Sequence, residues 1–321
     1  MRYTRRDFGR LALGALPAAA LIQRPFAGGA AESNPNSLIN GVHIGTITYS
    51  YRSMPDQSAE AILRYVVDSG ISAIEFMGGP VEAFAGAPQV PRAGFGRGSA
   101  PPTPEQAAAQ REAAQKLKTW RTSVSMDRFK ALRKMFNDAG VTIFAWKQLA
   151  PEMPDAEMEY VFNVAEALGC THTTLELVED EAQLKRIGAF ADKHKIYAAY
   201  HTHLQGSMTA FDQAFAVSKY NMANVDLGHY VAAGGDPIQF LNKFHDRVAS
   251  FHLKDRQTPA HGAGNLAWGK GDTPLREILQ LVKKNKWTMP ATIELEYNVP
   301  PASDAVKEVA SCLRYCREAL A

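Results

Sequence analysis

Eight short β-rich runs, each followed by a stretch of helical periodicity, most constrain what this chain can fold into. The runs are Val42–Tyr49, Ile71–Met77, Val141–Trp146, Thr173–Leu177, Ile196–Tyr200, Ala223–Leu227, Val248–His252 and Ala291–Glu296. Amphipathic patterns lie between them at Glu60–Ser69, Met126–Ala139, Glu157–Leu168, Glu181–His194, Pro237–Phe244 and Thr273–Asn285, and a last one spans Ser303–Leu320. Gly70, Gly140 and Gly169 stand where a helix must turn into the next strand. Strand–helix alternation of this kind implies a parallel sheet, and eight units predict a closed (β/α)8 TIM barrel. No strand runs into a Gly-x-Gly-x-x-Gly turn, which removes support for a dinucleotide-binding sheet.

Two segments fall outside this rhythm. Gly78–Thr103 is rich in Gly, Pro and Ala and leads into a polar helical stretch, Pro104–Lys118. The insertion, at about 78–125, follows the second strand on the face where barrel active sites form. A lid over the site is one use for it; surface decoration or an oligomer contact is the other. The second segment is the N-terminus, residues 1–31. There Thr4-Arg5-Arg6-Asp7-Phe8 precedes an uncharged run from Leu11 to Ile22 and a small-residue stretch around Ala27–Ala31. The apolar run is too short to span a bilayer, which takes ~20 residues, and the order of regions is that of an export signal. Its Arg-Arg pair resembles a twin-arginine (Tat) signal, which implies a folded protein delivered to the periplasm or beyond, with no membrane attachment after signal removal. Residues 32–321 are then one barrel domain.

Charge follows the same division. The chain's net charge is +2, yet five arginines against Asp7 give the first 31 residues +4, leaving about −2 for the remainder. A slightly acidic barrel excludes nucleic acid as a partner. Three cysteines, Cys170, Cys312 and Cys316, have no zinc-ligand spacing and read as small buried residues.

Barrel strands are otherwise apolar, so polar residues at their C-terminal ends point to use. Glu176 ends the fourth run, Tyr200-His201-Thr202-His203 the fifth, Asp226-Leu227-Gly228-His229 the sixth, His252-Leu253-Lys254-Asp255 the seventh and Glu294-Leu295-Glu296 the eighth. Six of the nine histidines fall between 201 and 261. Carboxylates and imidazoles without thiolates suit a divalent ion such as Mn, Co, Mg or Zn. Lys254, two residues beyond His252, shares its strand face, and Trp146 and Lys147, at the end of the third run, are candidate pocket-lining residues.

With these motifs in view, the chain from about Val42 onward resembles the sugar phosphate isomerase/epimerase superfamily, the xylose isomerase-like barrels. The resemblance rests on Val225-Asp-Leu-Gly-His229, Ser250-Phe-His-Leu-Lys-Asp-Arg256, Trp268-Gly-Lys-Gly-Asp272 and Thr292-Ile-Glu-Leu-Glu-Tyr297. It implies a divalent ion held by a Glu, an Asp, a His and a final Glu. Carried over, these are Asp226, His252 and Glu296, with Glu294 in a supporting role. The first Glu is replaced by the Tyr-His-x-His motif, similar to an inosose dehydratase-like branch, so the fourth ligand is His201 or Glu176, with Glu176 preferred for its charge. The implied reaction is proton transfer alpha to the carbonyl of a sugar or keto-sugar. An enediolate then re-protonates (epimerisation or isomerisation) or expels a β-hydroxyl (dehydration, lyase or hydratase chemistry). Glu296, His201, His203 and Lys254 are the expected catalytic residues, and His229 resembles the family's substrate-binding histidine. A non-catalytic sugar-binding protein is the alternative of another class.

Overall fold

The computed structural model describes residues 34–89 and 103–321. The expected export signal at residues 1–31 and the centre of the insertion lie outside the described residues. Parallel strands β1 (Val42–Ile47), β2 (Ala73–Met77), β3 (Thr142–Lys147), β4 (His172–Glu176), β5 (Tyr197–His201), β6 (Asn221–Asp226), β7 (Val248–Leu253) and β8 (Ala291–Ile293) follow one another around a single sheet. The sheet closes on itself because β8 pairs on one side with β7, Ala291 opposite Phe251, and on the other with β1, Ala291 opposite Ile44. A two-residue strand, Leu38–Ile39, pairs antiparallel with the start of β1. The expected (β/α)8 TIM barrel is what forms.

The helices take the predicted places to within two residues: Ala59–Asp68, Asp127–Asp138, Asp155–Leu168, Glu181–His194, Pro237–Phe244, Leu275–Asn285 and Ala305–Leu320. Local chemistry sets several ends. Ser58, Asp180, Asp236 and Asp304 each accept a backbone N–H of the first turn, satisfying donors that no helix can satisfy internally. Gly70, Gly140 and Gly169 lie at positive φ (78°, 75° and 76°) and release the chain toward the next strand. The helices bury their apolar stripes on the outer face of the barrel. There Trp146, Tyr160, Phe162, Phe129 and Phe136 are all 3% exposed or less.

One expected loop is a helix. Gly78–Ala85 winds directly off β2 and stops at Gly86, φ 90°. The second helix of the insertion, Pro104–Arg121, opens with a reciprocal Thr103/Gln106 capping box. It has no buried residue of its own. A polar clamp holds its far end instead: Arg121 bonds both oxygens of Glu82 (2.8 and 3.1 Å) and Glu157 Oε2 (2.7 Å), and Tyr160 Oη donates to Glu82. The three cysteines are free and buried, as their sequence context suggested. Among the described residues no helix is long and apolar enough to cross a membrane.

Candidate metal centre and active site

A strand buried on both faces still alternates its side chains, and in this barrel the inward set is polar. Glu75, His172, Thr174, Asn224, Ser250 and His252 have no solvent exposure, so each must find partners inside. Thr174 Oγ1 donates to Glu75 Oε1 (2.7 Å), and His252 Nε2 lies 2.7 Å from Glu75 Oε2. The Asn224 amide nitrogen faces Ser250 Oγ (2.6 Å) and, more distantly, Glu75 Oε2. Ser250 Oγ also meets His172 Nε2 at 2.9 Å. Glu75, in the middle of β2, is a member of the site that sequence reasoning missed.

Toward the C-terminal mouth the groups become charged. Ligand atoms of His201, Asp226, His252 and Glu294 lie within 4.8 Å of one another, all four residues buried. Because the Asn224 amide nitrogen is spent on Ser250, its oxygen faces His201 Nδ1 at 2.9 Å. Nδ1 therefore carries the proton and the lone pair is on Nε2, the form a metal requires. Burial, with the Lys147 and His252 charges nearby, holds the His201 imidazole down to about 3, so it is neutral. Asp226 Oδ2 is buried without an aligned hydrogen bond, although Lys254 Nζ lies 2.8 Å away. Burial pushes the Asp226 carboxyl up, against the pull of Lys254. His252 is bracketed: Nδ1 is 2.8 Å from Glu294 Oε2 and Nε2 is on Glu75. Burial would lower its pKa, but the two carboxylates outweigh it and raise the group to about 10. The neutral His201 imidazole, the buried Asp226 oxygen that only Lys254 approaches and the Glu294 carboxylate fit a hard or borderline divalent cation. His252, a donor to both Glu75 and Glu294 in the metal-free chain, would release the proton it shares with Glu294 on binding the ion.

Lys254 is at the centre of the carboxylates. Its ammonium lies 2.8 Å from Asp226 Oδ2, 2.8 Å from Glu294 Oε2 and 2.7 Å from Glu296 Oε2, the last an aligned hydrogen bond. Burial opposes its charge, yet these partners hold its pKa well above the usual lysine value. Glu296, more accessible than Glu294, is 3.7 Å from His229 Nε2. At the rim Glu176 pairs with Lys147 (2.9 Å) and His203 Nδ1 (3.3 Å). Despite partial burial, His203 and Lys147 keep Glu176 well below the carboxylate range. The hydrogen bond that His203 donates to Glu176 in turn raises His203.

This placement departs from the expected ligand set in two positions. Glu294 joins Asp226 and His252, while Glu296 lies on Lys254. His201 completes the four, while half-exposed Glu176 is drawn off by Lys147 and forms a separate group with His201 and His203. Trp146 does not line the pocket. Its neighbour Lys147 faces the barrel, so Trp146 faces outward, fully buried with its ring edge-on to Tyr160 at 5.9 Å. The Gly269-Lys270-Gly271 loop is closed to phosphate. Asp255 Oδ2 accepts from all three backbone N–H groups (2.7, 3.0 and 2.9 Å) and Oδ1 from Thr273 N. A Cβ on Gly271 would lie 2.3 Å from Asp255 Oδ1, so the loop is shaped around an internal anion. A cavity of about 820 Å³ opens at the other end of the barrel, near Phe144, His172, Tyr197 and Trp287. It is remote from the carboxylates, and barrel chemistry belongs to the C-terminal face.

The family model described as xylose isomerase-like TIM barrel matches residues 63–316. Among solved structures, a xylose isomerase domain protein from Planctomyces limnophilus is similar at 17% identity, with 87% of this chain and 96% of that one covered and a TM-score of 0.58. A probable 3-DHS dehydratase, AsbF, from Bacillus anthracis is 14% identical over 85% and 98% of the two chains, TM-score 0.59. A 3-keto-D-glucoside 4-epimerase, YcjR, from E. coli is 9% identical over 86% and 99%, TM-score 0.57. No curated protein matches the sequence significantly. With a buried His/Asp/Glu cluster at the mouth of an eight-stranded barrel and the family model spanning most of its length, this chain belongs to the xylose isomerase-like TIM barrel family.

Proposed function

We propose that this chain is a divalent-metal-dependent enzyme that moves a proton alpha to the carbonyl of a sugar or keto-sugar. The observation that carries the reading is the buried set of His201, Asp226, His252 and Glu294 beside the acid–base groups Glu296 and His203. The named activities of the 3-keto-D-glucoside 4-epimerase and the 3-DHS dehydratase of the same fold support it.

When bound, a divalent ion polarises a carbonyl and acidifies the neighbouring C–H. The chain supplies everything else. Glu296 is the base: it is ionically held by Lys254 and open enough to meet a substrate carbon. The Lys254 ammonium lies where negative charge on a substrate oxygen would develop and stabilises it. His229 holds a substrate oxygen opposite Glu296. His203, whose pKa is raised by its hydrogen bond to Glu176, is the proton source at the rim. That last pair favours a second reading, loss of a β-hydroxyl protonated by His203. The leader, with its Arg5-Arg6 pair, supports action outside the cytoplasm on a substrate without phosphate.

The test is metal content together with wash-in of deuterium from solvent into ketoses, inososes and 3-keto-glycosides. Alanine at His201, Asp226, His252 or Glu294 should empty the chain of metal. Glu296→Ala and Glu176→Ala should keep the metal, and Glu296→Ala should lose exchange. Full occupancy in the Glu294 variant with loss in the Glu296 variant would reverse the ligand assignment. A loaded protein that exchanges no carbon-bound proton on any of these sugars would leave a binding protein.

A further inference from the structure

Arg256 enters none of the roles above, yet it is 8% exposed and its guanidinium touches a site residue. It follows Asp255 in the short strand Asp255–Arg256, pinned by Thr273 Oγ1, which accepts its backbone N–H, and by Asp272 N, which donates to its carbonyl. One guanidinium nitrogen lies 2.5 Å from His229 Nδ1, and the other donates to Ala263 O at 2.5 Å. Ala263 is itself in the left-handed region, φ 55°, next to Gly262 at φ 98°. The Gly262-Ala-Gly264 turn thus presents a carbonyl to the arginine. Across the imidazole, His229 Nε2 is buried without a hydrogen-bond partner, and Glu296 Oε2, at 3.7 Å, is too far to accept. The His229 backbone N–H is tied to Asp226 Oδ1 at 2.8 Å, which fixes its main chain at the mouth of the barrel, and Arg256 is the polar group in contact with its ring.

A guanidinium can only donate. A ring nitrogen in contact with it must offer a lone pair, and the proton of the neutral imidazole then belongs to the other nitrogen. We propose that Arg256 is a positioning residue that fixes His229 as the Nε2–H tautomer, so that His229 serves as a hydrogen-bond donor to a substrate oxygen and never as a base. The unpartnered Nε2–H then faces the gap beside Glu296, where a carbonyl or hydroxyl oxygen of the substrate completes it. Only the identity of the acceptor rests on the proposed function; the tautomer is a property of the protein alone.

The experiment is ¹⁵N NMR of the full chain labelled at histidine nitrogens, without substrate, with the His229 signals identified by their disappearance in His229→Asn. The expected spectrum shows a protonated Nε2 and a bare, strongly deshielded Nδ1 at neutral pH. In Arg256→Met, which has no donor, the two resonances should move toward exchange-averaged values. Deuterium wash-in should fall on the order of 10²-fold while bound metal stays at the parental level. An Nδ1–H or doubly protonated ring in the parent protein overturns the proposal even if the variant does not fold. A folded Arg256→Met that retains the single Nε2–H form overturns it as well. Absence of exchange on every sugar, with the expected tautomer observed, removes the proposed reaction and leaves the role of Arg256 intact.

Discussion

Substituting Glu75 by Gln tests whether the His252 bracket is an ion pair or a neutral hydrogen bond. The change preserves shape and leaves Thr174 and Asn224 with a polar partner, but removes one of the two charges that face His252. Both groups are fully buried, so the remaining imidazolium would have only Glu294 against it. Breaking one side of a buried pair costs about 3–5 kcal/mol. The pH dependence has a definite sign. His252 titrates at about 10 in the folded metal-free chain against an ordinary 6.5. Its contribution is therefore complete below pH 6.5 and is lost as pH rises through about 10, amounting to roughly 5 kcal/mol at ~1.4 kcal/mol per pH unit. Glu75, despite burial, is held down to about 2 by the same imidazolium; that is the other view of one interaction, not an additional one. Urea unfolding of chelator-treated protein at pH 6 to 10 is the assay. The parent should lose stability between pH 7 and 10, and Glu75→Gln should start lower and fall less steeply. A variant within about 0.5 kcal/mol of the parent at pH 7, or parallel curves across the whole window, would refute the charged bracket.

Two further outcomes follow from the charge arrangement. Lys254→Met removes an ammonium lying 2.8 Å from oxygens of both Asp226 and Glu294; at ~4 Å a unit charge repels another by about 4 kcal/mol at an effective dielectric of 20. Divalent metal affinity, measured by competition with a chelator, should rise at least ~10-fold, and unchanged or weaker binding would contradict the shared-carboxylate picture. Arg121→Met leaves Glu82 and Glu157 uncompensated at the foot of the Pro104–Arg121 helix and should cost about 3–5 kcal/mol in urea unfolding; a loss under ~1 kcal/mol would mean that the clamp does not dock the helix.

The barrel was legible because short β-rich runs alternate regularly with amphipathic helical stretches, and because cap residues such as Asp180 and Gly169 mark the breaks between helix and strand. The site was legible only to the resolution of strand parity. Glu294 and Glu296 share a face, and no pattern tells which of them is level with His252. The structure does, because regular pairing of β8 stops at Ile293 and the chain then turns toward the mouth. Parity was available for Trp146 and should have decided it: a residue adjacent to inward-facing Lys147 must point at the helices. Glu75 had a signal as well, a lone carboxylate within Ile-Glu-Phe, but mid-strand residues are expected to pack and strand ends to react. Phe144 was not readable. A register shift in the pairing of β2 with β3 leaves it out of the ladder, against Gly45 at the floor of the barrel.

Polarity along the barrel axis is graded, and the grading explains why a divalent ion suits the mouth alone. At the floor His172 is held between Thr171 Oγ1 and Ser250 Oγ, and burial lowers it to about 4, so that layer is neutral. One level up, Glu75 and His252 cancel each other. At the rim Lys147 cancels Glu176. Between these layers Asp226, Glu294 and Glu296 share the single ammonium of Lys254, and His201 is neutral. Three carboxyl groups thus share one cation in a largely buried place, an excess of acidic over basic groups. Such an excess is costly in a low-dielectric interior unless neutralised. Protonating carboxyls would neutralise it at the expense of the base. One divalent ion would neutralise it and leave Glu296 free for the proposed proton abstraction next to a carbonyl.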